Sequence, residues 1–382
     1  MTAEKSGEKE AGLVSPEHQV ERSCGDLRRG MPVLIRSDRA GESAIAAAAE
    51  TLSGATLAAL TRSYGAPAAM LTHARAATLK IPLYTEDAVS VAGPESVTAA
   101  ELRAIADPAS DLDNPLKGPF EAVRQRLPDS GPAAIRLAKL AGLLPAAAIF
   151  RIDDATCDAL AAAGALAQVR VADILSFEER AASSLTMVVR ASVPLAGAED
   201  SELVAFRPAN GGQEHYAVLI GGRQSPALMP PGPVLTRLHS ECFTGDLLGS
   251  LKCDCGDQLR GAVQAIGKAG GGVLLYLAQE GRGIGLMNKL RAYRLQDEGF
   301  DTMEANQRLG FAADERIYDI AARMLALLGY SKVRLMTNNP DKVRALGAAG
   351  VEIVERVPHS FPDNVHNRDY LKTKAEKGGH LL

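Results

Sequence analysis

Residues 271–285, GGVLLYLAQEGRGIG, join a continuous apolar run to a glycine-rich turn. Such a run is typical of a strand buried on both faces of a sheet. A second apolar run, KVRLMTNN (332–339), follows a stretch with helical spacing, IYDIAARMLALLGY (317–330). It leads into another predicted helix, DKVRALGAAG (341–350), which closes at glycine. This alternation of strand and helix predicts an α/β or α+β domain in the second half of the chain.

The first half has a different composition, since residues 25–185 are rich in alanine. Alanine is the best helix former, so the stretches AIAAAAETLSGATLAAL (44–60) and AAIRLAKLAGLLPAAAIF (133–150) favour helices. MPVLIRSD (31–38) and MVVRASVPL (187–195) are predicted strands because they contain β-branched runs between turn residues.

The chain of 382 residues is long enough for two domains. The amino-acid composition changes near residue 190, where GAEDSE (197–202) supplies a polar linker. We place the domain boundary within 186–200. The predicted parts are a disordered leader (1–24), a first domain (25–186) and a second domain (187–382). The leader is polar and charged, without the apolar region of a signal peptide.

Composition excludes several classes of function. The net charge of -4 gives no electrostatic reason to expect a nucleic-acid partner. No apolar run approaches the roughly 20 residues that cross a bilayer, so no membrane partner is expected. Five cysteines, unevenly placed, argue against a disulfide framework and for a reduced, cytoplasmic protein in which Cys24 and Cys157 are incidental.

Three cysteines lie within fourteen residues, at positions 242, 253 and 255. Thiolates suit zinc, and three of them leave one position of its tetrahedron open for water, which is the catalytic arrangement. His239, three residues before Cys242, is a possible fourth ligand, so a closed structural site remains an alternative. The many polar side chains between 237 and 259 favour a site that recognises a polar ligand.

Two loops are candidates for binding phosphate. EGRGIGLMNK (280–289) follows a predicted strand, and its glycines with Arg282 allow close approach to an anion. TNNPDKVRAL (337–346) places Thr337 and Lys342 at the start of a predicted helix. Taken alone, the first is a weak signal, and the second equally fits a capped surface helix with a solvated lysine.

Four stretches carry a resemblance that covers about 190 to 382. They are RLHSECFTGDLLGSLKCDCGDQL (237–259), YLAQEGRGIGLMNKLRAYRLQDEGFDTMEANQRLGFAADER (276–316), TNNPDKVRAL (337–346) and KAEKGGHLL (374–382). This half closely resembles GTP cyclohydrolase II. That family opens the guanine ring of GTP and releases formate and pyrophosphate, which yields 2,5-diamino-6-ribosylamino-4(3H)-pyrimidinone 5′-phosphate, the first committed step of riboflavin synthesis.

The resemblance implies roles for individual residues. Cys242, Cys253 and Cys255 match the zinc ligands. Asp314 matches the proton acceptor, Arg316 the assigned nucleophile, and Tyr293 a tyrosine needed for complete ring opening and deformylation. The implied GTP contacts are Arg237, Leu238, His239, Ser240, Glu241, Gln258, Glu280, Gly281, Arg282, Thr302, Thr337 and Lys342. The family also implies a magnesium ion with the triphosphate, and a homodimer.

An arginine is a poor nucleophile because its pKa lies above 12. We therefore weigh equally a role for Arg316 in stabilising charge on the α-phosphate. Glu241 and Gln258 could read the guanine edge, since a carboxylate can accept from the ring N–H and the exocyclic amine.

The first half resembles 3,4-dihydroxy-2-butanone 4-phosphate synthase in residues 27–60 and 129–150. The acidic magnesium-binding run of that family, Arg-Glu-Asn-Glu-Gly-Asp, corresponds here to RAGESA (39–44). Its Gly-His-Thr-Glu-Ala motif corresponds to GPAAI (131–135). Without the histidine and most carboxylates, neither a metal site nor an acid/base pair remains. We expect a fold retained without its chemistry, serving assembly or regulation.

The sequence thus predicts a two-domain α/β (α+β) protein. A butanone-phosphate-synthase-like domain precedes a GTP cyclohydrolase II-like domain with a zinc site. The alternatives are a paralogue recruited to pyrimidine catabolism, a bifunctional enzyme, and a non-enzymatic zinc-binding module.

Overall fold

The computed structural model describes residues 14–94, 96–113, 115, 117–221, 232–362, 365 and 367–368. The chain divides into two units. The first contains the chain up to Phe177 together with two later segments, 290–300 and 304–313. The second contains the remaining residues from Glu178 onward.

The first unit has a six-stranded sheet in the order β4-β3-β5-β2-β1-β6, in which only β1 and β6 pair in parallel. The strands are β1 Val33–Arg36, β2 Ala44–Ala48, β3 Ala68–Thr72, β4 Ala88–Ala92, β5 Ala146–Arg151 and β6 Ala167–Arg170. The helices are α1 Pro16–Arg28, α2 Gly54–Tyr64, α3 His73–Thr78, α4 Ala99–Ala106, α5 Ser130–Leu140, α6 Asp154–Ala163, α7 Val171–Leu175 and α8 Phe177–Ser183, which ends in the second unit.

Two alanine-rich stretches correct the sequence prediction. The helices α2 and α5 overlap 44–60 and 133–150, but each stretch also overlaps a strand, β2 and β5 respectively. These strands pair with each other at the centre of the sheet, and every residue of β2 is buried. The burial of β2 and β5 on both faces of the sheet outweighs the helix propensity of their alanines. The small alanine side chains let helices pack closely on these central strands.

The second unit has a seven-stranded sheet in the order β13-β12-β10-β11-β9-β8-β7. The strands are β7 Thr186–Ser192, β8 Ser201–Arg207, β9 His215–Ile220, β10 Val234–Ser240, β11 Gly272–Leu277, β12 Lys332–Met336 and β13 Glu352–Val357. The helices are α9 Cys255–Lys268, α10 Gly285–Asp297, α11 Thr302–Arg308, α12 Asp319–Leu327 and α13 Pro340–Ala348. The predicted strands and helices of 271–350 are thereby confirmed.

The central strand β11 of this unit is covered on both faces. Along β11, Val273 and Leu275 pack in one apolar cluster with α12, whereas Leu274 packs in another with α9. A strand covered on both faces must be apolar throughout, which explains the continuous run that opened the sequence analysis. The strands β11, β10, β12 and β13 are mutually parallel, so their carboxyl ends lie along one edge.

Three organisational predictions need correction. Part of the proposed leader is helix α1, which buries Val20 and Cys24, while residues 1–13 lie outside the described part. GAEDSE connects β7 to β8 inside one sheet, and is therefore not a domain linker. The segments 290–300 and 304–313 leave the second unit and join the first. KAEKGGHLL lies outside the described residues.

Among the described residues, no helix has the length and apolar character that crossing a membrane requires.

Gly272 offers a test of the tight packing between β11 and its neighbours. A Cβ at this position would lie 2.4 Å from the carbonyl oxygen of Leu235 and 2.8 Å from Cγ2 of Ile266. We expect Gly272→Ala to cost about 2 kcal/mol through overpacking, which lowers a midpoint of thermal unfolding by about 4–8 °C in calorimetry.

Gly347→Ala is the matched control, because its Cβ would meet only Cδ1 of Ile353, at 3.6 Å, within helix α13. Alanine there should leave the midpoint unchanged or raise it slightly. Equal midpoints for the two variants would contradict the packing described.

Candidate functional site

Three thiols converge after strand β10. Cys242 follows the strand closely, and Cys255 is the first residue of α9. The sulfur atoms of Cys242, Cys253 and Cys255 all lie within 4.8 Å of one another, and those of Cys242 and Cys253 are 3.8 Å apart. Zinc–sulfur bonds of about 2.3 Å in a tetrahedron separate two sulfurs by about 3.8 Å. The three side chains therefore have the spacing needed to hold a metal ion.

Gly245 lies inside the turn that brings these thiols together. Its N–H donates to the Cys242 sulfur at 3.3 Å. A Cβ here would lie 2.9 Å from the Cys253 sulfur and 3.0 Å from that of Cys242. Any side chain would therefore push the sulfur atoms apart. Gly245 carries no signal in the sequence. The requirement for glycine at this position follows from the close approach of the thiols.

Lys289 connects the thiols to the glycine loop. Its ammonium group donates to the Cys242 sulfur at 2.9 Å and to Oε1 of Glu280 at 2.8 Å. Oε2 of Glu280 accepts the N–H of Phe243 at 2.6 Å. Hydrogen bonds from the thiols of Cys253 and Cys255, followed by the bond and charge of Lys289, lower the pKa of Cys242. Sequence reasoning missed this buried lysine, because no spacing pattern links it to the cysteines.

His239 is held by a carboxylate. Its Nε2 lies 3.0 Å from both carboxylate oxygens of Asp246, which also accept the N–H of Cys242 and the hydroxyl of Tyr276, each at 3.0 Å. Within the described residues, the group that could hold a metal consists of the cysteines without His239. The alternative in which His239 is the fourth ligand is therefore not the arrangement found.

Two buried cations lie where β10 and β12 run side by side. The guanidinium of Arg237 donates to the carbonyl of Met336 at 2.9 Å, and the ammonium of Lys342 donates to that of Leu238 at 3.0 Å. Burial lowers the pKa of Arg237 to about 10, so it stays protonated at neutral pH. The chain leaves β10 toward β11 on one side and leaves β12 toward β13 on the other, so the strand order reverses between β10 and β12. In open α/β sheets, ligands bind at such a switch point.

Other predicted contacts adjoin these cations. The amide oxygen of Gln258 accepts from Arg237, and its nitrogen donates to Asp254. Thr337 is buried directly after β12, where its hydroxyl accepts the N–H of Asn339 at 3.0 Å.

The glycine loop 280–285 has an unusual backbone. Gly281 and Arg282 both have left-handed conformations, with φ of 64° and 63°. For a non-glycine residue this costs of order 1–3 kcal/mol. The carbonyl of Arg282 accepts the N–H of Glu315 at 3.0 Å. A Cβ on Gly283 would lie 2.8 Å from the Glu315 carbonyl oxygen, so glycine is required for this close approach.

Asp314 and Arg316 form a close ion pair beside this loop. Nε of Arg316 donates to Oδ1 of Asp314 at 2.8 Å, and its backbone N–H donates to the same oxygen at 3.0 Å. Burial alone would raise the pKa of Asp314, but the hydrogen bonds and charge of Arg316 outweigh it and lower the pKa. The carboxyl group is therefore ionised at neutral pH.

Glu241 follows β10 and lines an open cavity of about 600 Å³ together with Arg207, Tyr216 and Tyr276. Burial raises its pKa, and the carboxylates of Glu280 and Asp246 raise it further. A cavity of this volume is large enough for a nucleoside-sized ligand.

The remaining predicted residues fall in several places. Leu238 is buried within β10 and Ser240 ends that strand half-buried. Thr302 is the first residue of α11 and belongs to the second unit. Tyr293, half-buried on α10, belongs to the first unit, in contrast to the other predicted site residues.

Comparisons with known proteins agree with this geometry. The family model described as GTP cyclohydrolase II matches residues 186–358. A relative named GTP cyclohydrolase-2, from Azospirillum brasilense, is 48% identical over 366 residues, covering 95% of this chain and 94% of its own. A riboflavin biosynthesis protein RibBA from Phocaeicola vulgatus is 36% identical over 399 residues, covering 95% and 97%.

Among solved structures, a two-domain 3,4-dihydroxy-2-butanone 4-phosphate synthase from A. baumannii, RibBX, matches with 18% identity and a TM-score of 0.34, covering 88% of this chain and 99% of its own. The family is decided by the sequence relatives, of which the first is nearly half identical from end to end. The chain therefore belongs to the GTP cyclohydrolase II family of riboflavin biosynthesis enzymes.

Proposed function

We propose that the second unit hydrolyses GTP to 2,5-diamino-6-ribosylamino-4(3H)-pyrimidinone 5′-phosphate, formate and pyrophosphate, the first step of riboflavin biosynthesis. The observation that carries the proposal is the position of three thiols next to two buried cations, at the carboxyl ends of adjacent parallel strands. Opening a purine ring and cleaving a triphosphate need a Lewis acid and an anion site close together.

Zinc is the metal that this donor set fits. Three sulfurs at tetrahedral spacing, packed against Gly245, match its preference for thiolates and leave one position for substrate or water. When bound, zinc would supply Lewis acidity next to the guanine ring. The Cys242–Asp246 and Lys289–Glu280 hydrogen bonds would orient its ligands.

The chain provides its own groups for the nucleotide. Arg237 and Lys342 hold positive charge where β10 and β12 run side by side, and the guanidinium of Arg282 adds a further positive charge in the left-handed turn at 281–282. These groups would hold the triphosphate, and a bound magnesium ion would neutralise part of its negative charge. Glu241, on the wall of the 600 Å³ cavity, would accept from the guanine edge.

Asp314 and Arg316 would act as a pair. The ionised carboxylate of Asp314 can accept a proton, in keeping with its proposed role. Arg316 donates three hydrogen bonds to it, and a protonated guanidinium has no lone pair with which to attack phosphorus. This favours Arg316 as a group that stabilises phosphate charge over Arg316 as a nucleophile. Tyr293 would serve complete ring opening and deformylation.

The first unit would contribute no synthase activity. In the loop at 39–44, the carboxylate of Glu42 accepts from Arg126 and from the N–H of Asp129 at 2.8 Å. The hydrogen bond from Arg126 is the main cause of the lowered pKa of Glu42. A carboxylate committed in this way is poorly placed to share a magnesium ion.

Turnover of GTP tests the function directly. With zinc and magnesium present, we expect formate, pyrophosphate and the diaminopyrimidine product in a 1:1:1 ratio, measured by chromatography. No turnover by zinc-loaded protein would overturn the proposal, as would turnover of a pyrimidine in place of GTP. In a separate arm with ribulose 5-phosphate we expect no butanone phosphate, and its formation would show that the first unit is active.

Lys289 tests how the thiols are held. We expect Lys289→Met, which keeps length and removes charge, to weaken zinc binding about 10- to 100-fold in competition with a chelator, because the hydrogen bond to the Cys242 sulfur is lost. Lys268→Met, at the exposed end of α9, is the matched control and should retain the affinity. Equal affinities for both variants would contradict the assigned role.

A further inference from the structure

Three aromatic rings form a row across the sheet of the second unit. In the strand register, His239 of β10 lies opposite Tyr276 of β11, which in turn lies opposite Tyr216 of β9. Neighbours in register project from the same face of a sheet, so the three rings share one face. Tyr276 packs in the apolar cluster that includes side chains of α9. Because α9 begins at Cys255, the row lies on the side of the sheet that carries the thiols.

Tyr276 and His239 meet at one carboxylate. Their rings stack, with centres 5.6 Å apart and planes inclined by 19°. The Tyr276 hydroxyl donates to Oδ2 of Asp246 at 3.0 Å, and Nε2 of His239 lies 3.0 Å from both oxygens of the same group. An ionised carboxylate only accepts hydrogen bonds, so Nε2 carries the proton. Two stacked rings therefore donate to the carboxylate of Asp246.

Asp246 in turn closes the chain segment that begins at Cys242. Its Oδ2 accepts the N–H of Cys242 at 3.0 Å, and its own N–H donates to the Cys242 carbonyl at 2.7 Å. The side chains of Asp246 and His239 are only 6% and 3% exposed. The hydroxyl of Tyr276, the ring of His239 and the backbone of Cys242 thus hold this buried carboxylate from three directions.

The ring of Tyr276 also forms part of the wall of the cavity of about 600 Å³. Tyr216 lines the same cavity, but its hydroxyl donates to Oε2 of Glu214 at 2.9 Å. Each hydroxyl is therefore bound to a carboxylate of the chain, and the two carboxylates differ. Of these two tyrosines, Tyr276 is the one whose hydroxyl contacts the carboxylate next to the thiols.

We propose that Tyr276 is a positioning residue for the thiol site and acts through Asp246. With the hydroxyl in place, the carboxylate keeps the orientation that holds the backbone of Cys242 and the ring of His239 together. Without it, the carboxylate has one restraint fewer on its rotation. The inference rests on the proposed function, because it takes the thiols as the metal site of that reaction and His239 as a GTP contact.

The test uses Tyr276→Phe in the full-length protein, which removes one hydroxyl and keeps the stacked ring. We expect the dissociation constant for zinc, measured in competition with a chelator, to rise about ten-fold, the lower end of the effects of residues that orient metal ligands. In the zinc-saturated variant, kcat for formate release should fall about ten-fold while KM for GTP stays within about two-fold, because the hydroxyl faces Asp246 and not the cavity.

Tyr330→Phe is the matched control for the loss of a hydroxyl. Tyr330 is half-buried in the same unit, after α12 and outside the site. This variant should keep the zinc affinity, kcat and KM of the unchanged protein. Unchanged zinc affinity in Tyr276→Phe would overturn the proposal.

Tyr216→Phe separates the bond to Asp246 from the loss of any hydroxyl in the cavity wall. It removes the hydroxyl bound to Glu214 and should retain the zinc affinity of the unchanged protein. An equal rise of the zinc dissociation constant in Tyr216→Phe and Tyr276→Phe would overturn the proposal, because the bond to Asp246 would then not be the cause.

Hydrogen exchange shows whether Tyr276 acts through Asp246. In zinc-loaded Tyr276→Phe, faster exchange should be confined to peptides of 238–247, where the N–H of Cys242 loses a fixed acceptor. Faster exchange throughout the second unit would indicate general destabilisation and overturn the proposal. A lower unfolding midpoint of the zinc-free variant would overturn it for the same reason.

Zinc affinity and GTP turnover separate this inference from the proposed function. Weaker zinc binding by Tyr276→Phe, with no GTP turnover by the zinc-loaded unchanged protein, would support the positioning role and overturn the proposed function. Unchanged zinc binding by Tyr276→Phe, with GTP turnover by the unchanged protein, would overturn the positioning role and leave the proposed function standing.

Discussion

Three sulfur atoms occupy one small buried volume at the carboxyl end of β10, and the surrounding chain is arranged to allow it. Thiols this close compete for protons, so the arrangement is unfavourable until a metal replaces those protons. Gly245 leaves the space, and Asp246 fixes the backbone of Cys242. Lys289 offsets negative charge and connects the cysteines to the glycine loop. Through Glu280, whose Oε2 accepts the N–H of Phe243, this loop is joined to the chain that follows β10.

The central strand β11 of the second unit could be predicted from sequence because apolar clusters cover both of its faces. β11 is a continuous apolar run, whereas β12 carries Lys332 and Arg334 among its apolar residues. The helix after β12 begins directly after Asn339, whose side chain accepts the N–H of Asp341. The first unit was harder, since β2 and β5 are built largely from alanine. Their strand conformation comes from pairing with each other and from burial between helices. Local propensity predicts neither of these.

The site was predicted unevenly for the same reason. Cys242 could be selected from the sequence because the cysteines are closely spaced. Lys342 could be selected because it follows a helix-capping asparagine. Lys289 acts through a contact with Cys242, 47 positions earlier, which no spacing pattern reveals. Gly245 and Asp246 lie close to the cysteines in sequence, but their residue types carry no such signal. The division of the chain was also beyond local reasoning, because residues 290–313 pack with partners more than 150 positions away, including Glu50.

We propose that the three cysteines form an open zinc site, with His239 held by Asp246. X-ray absorption at the zinc edge of the purified full-length protein tests this most directly. The account predicts one zinc per chain, with three sulfur neighbours at about 2.3 Å and one oxygen neighbour at about 2.0 Å. Four sulfur neighbours, or a histidine nitrogen in place of the oxygen, would show a closed structural site and contradict it.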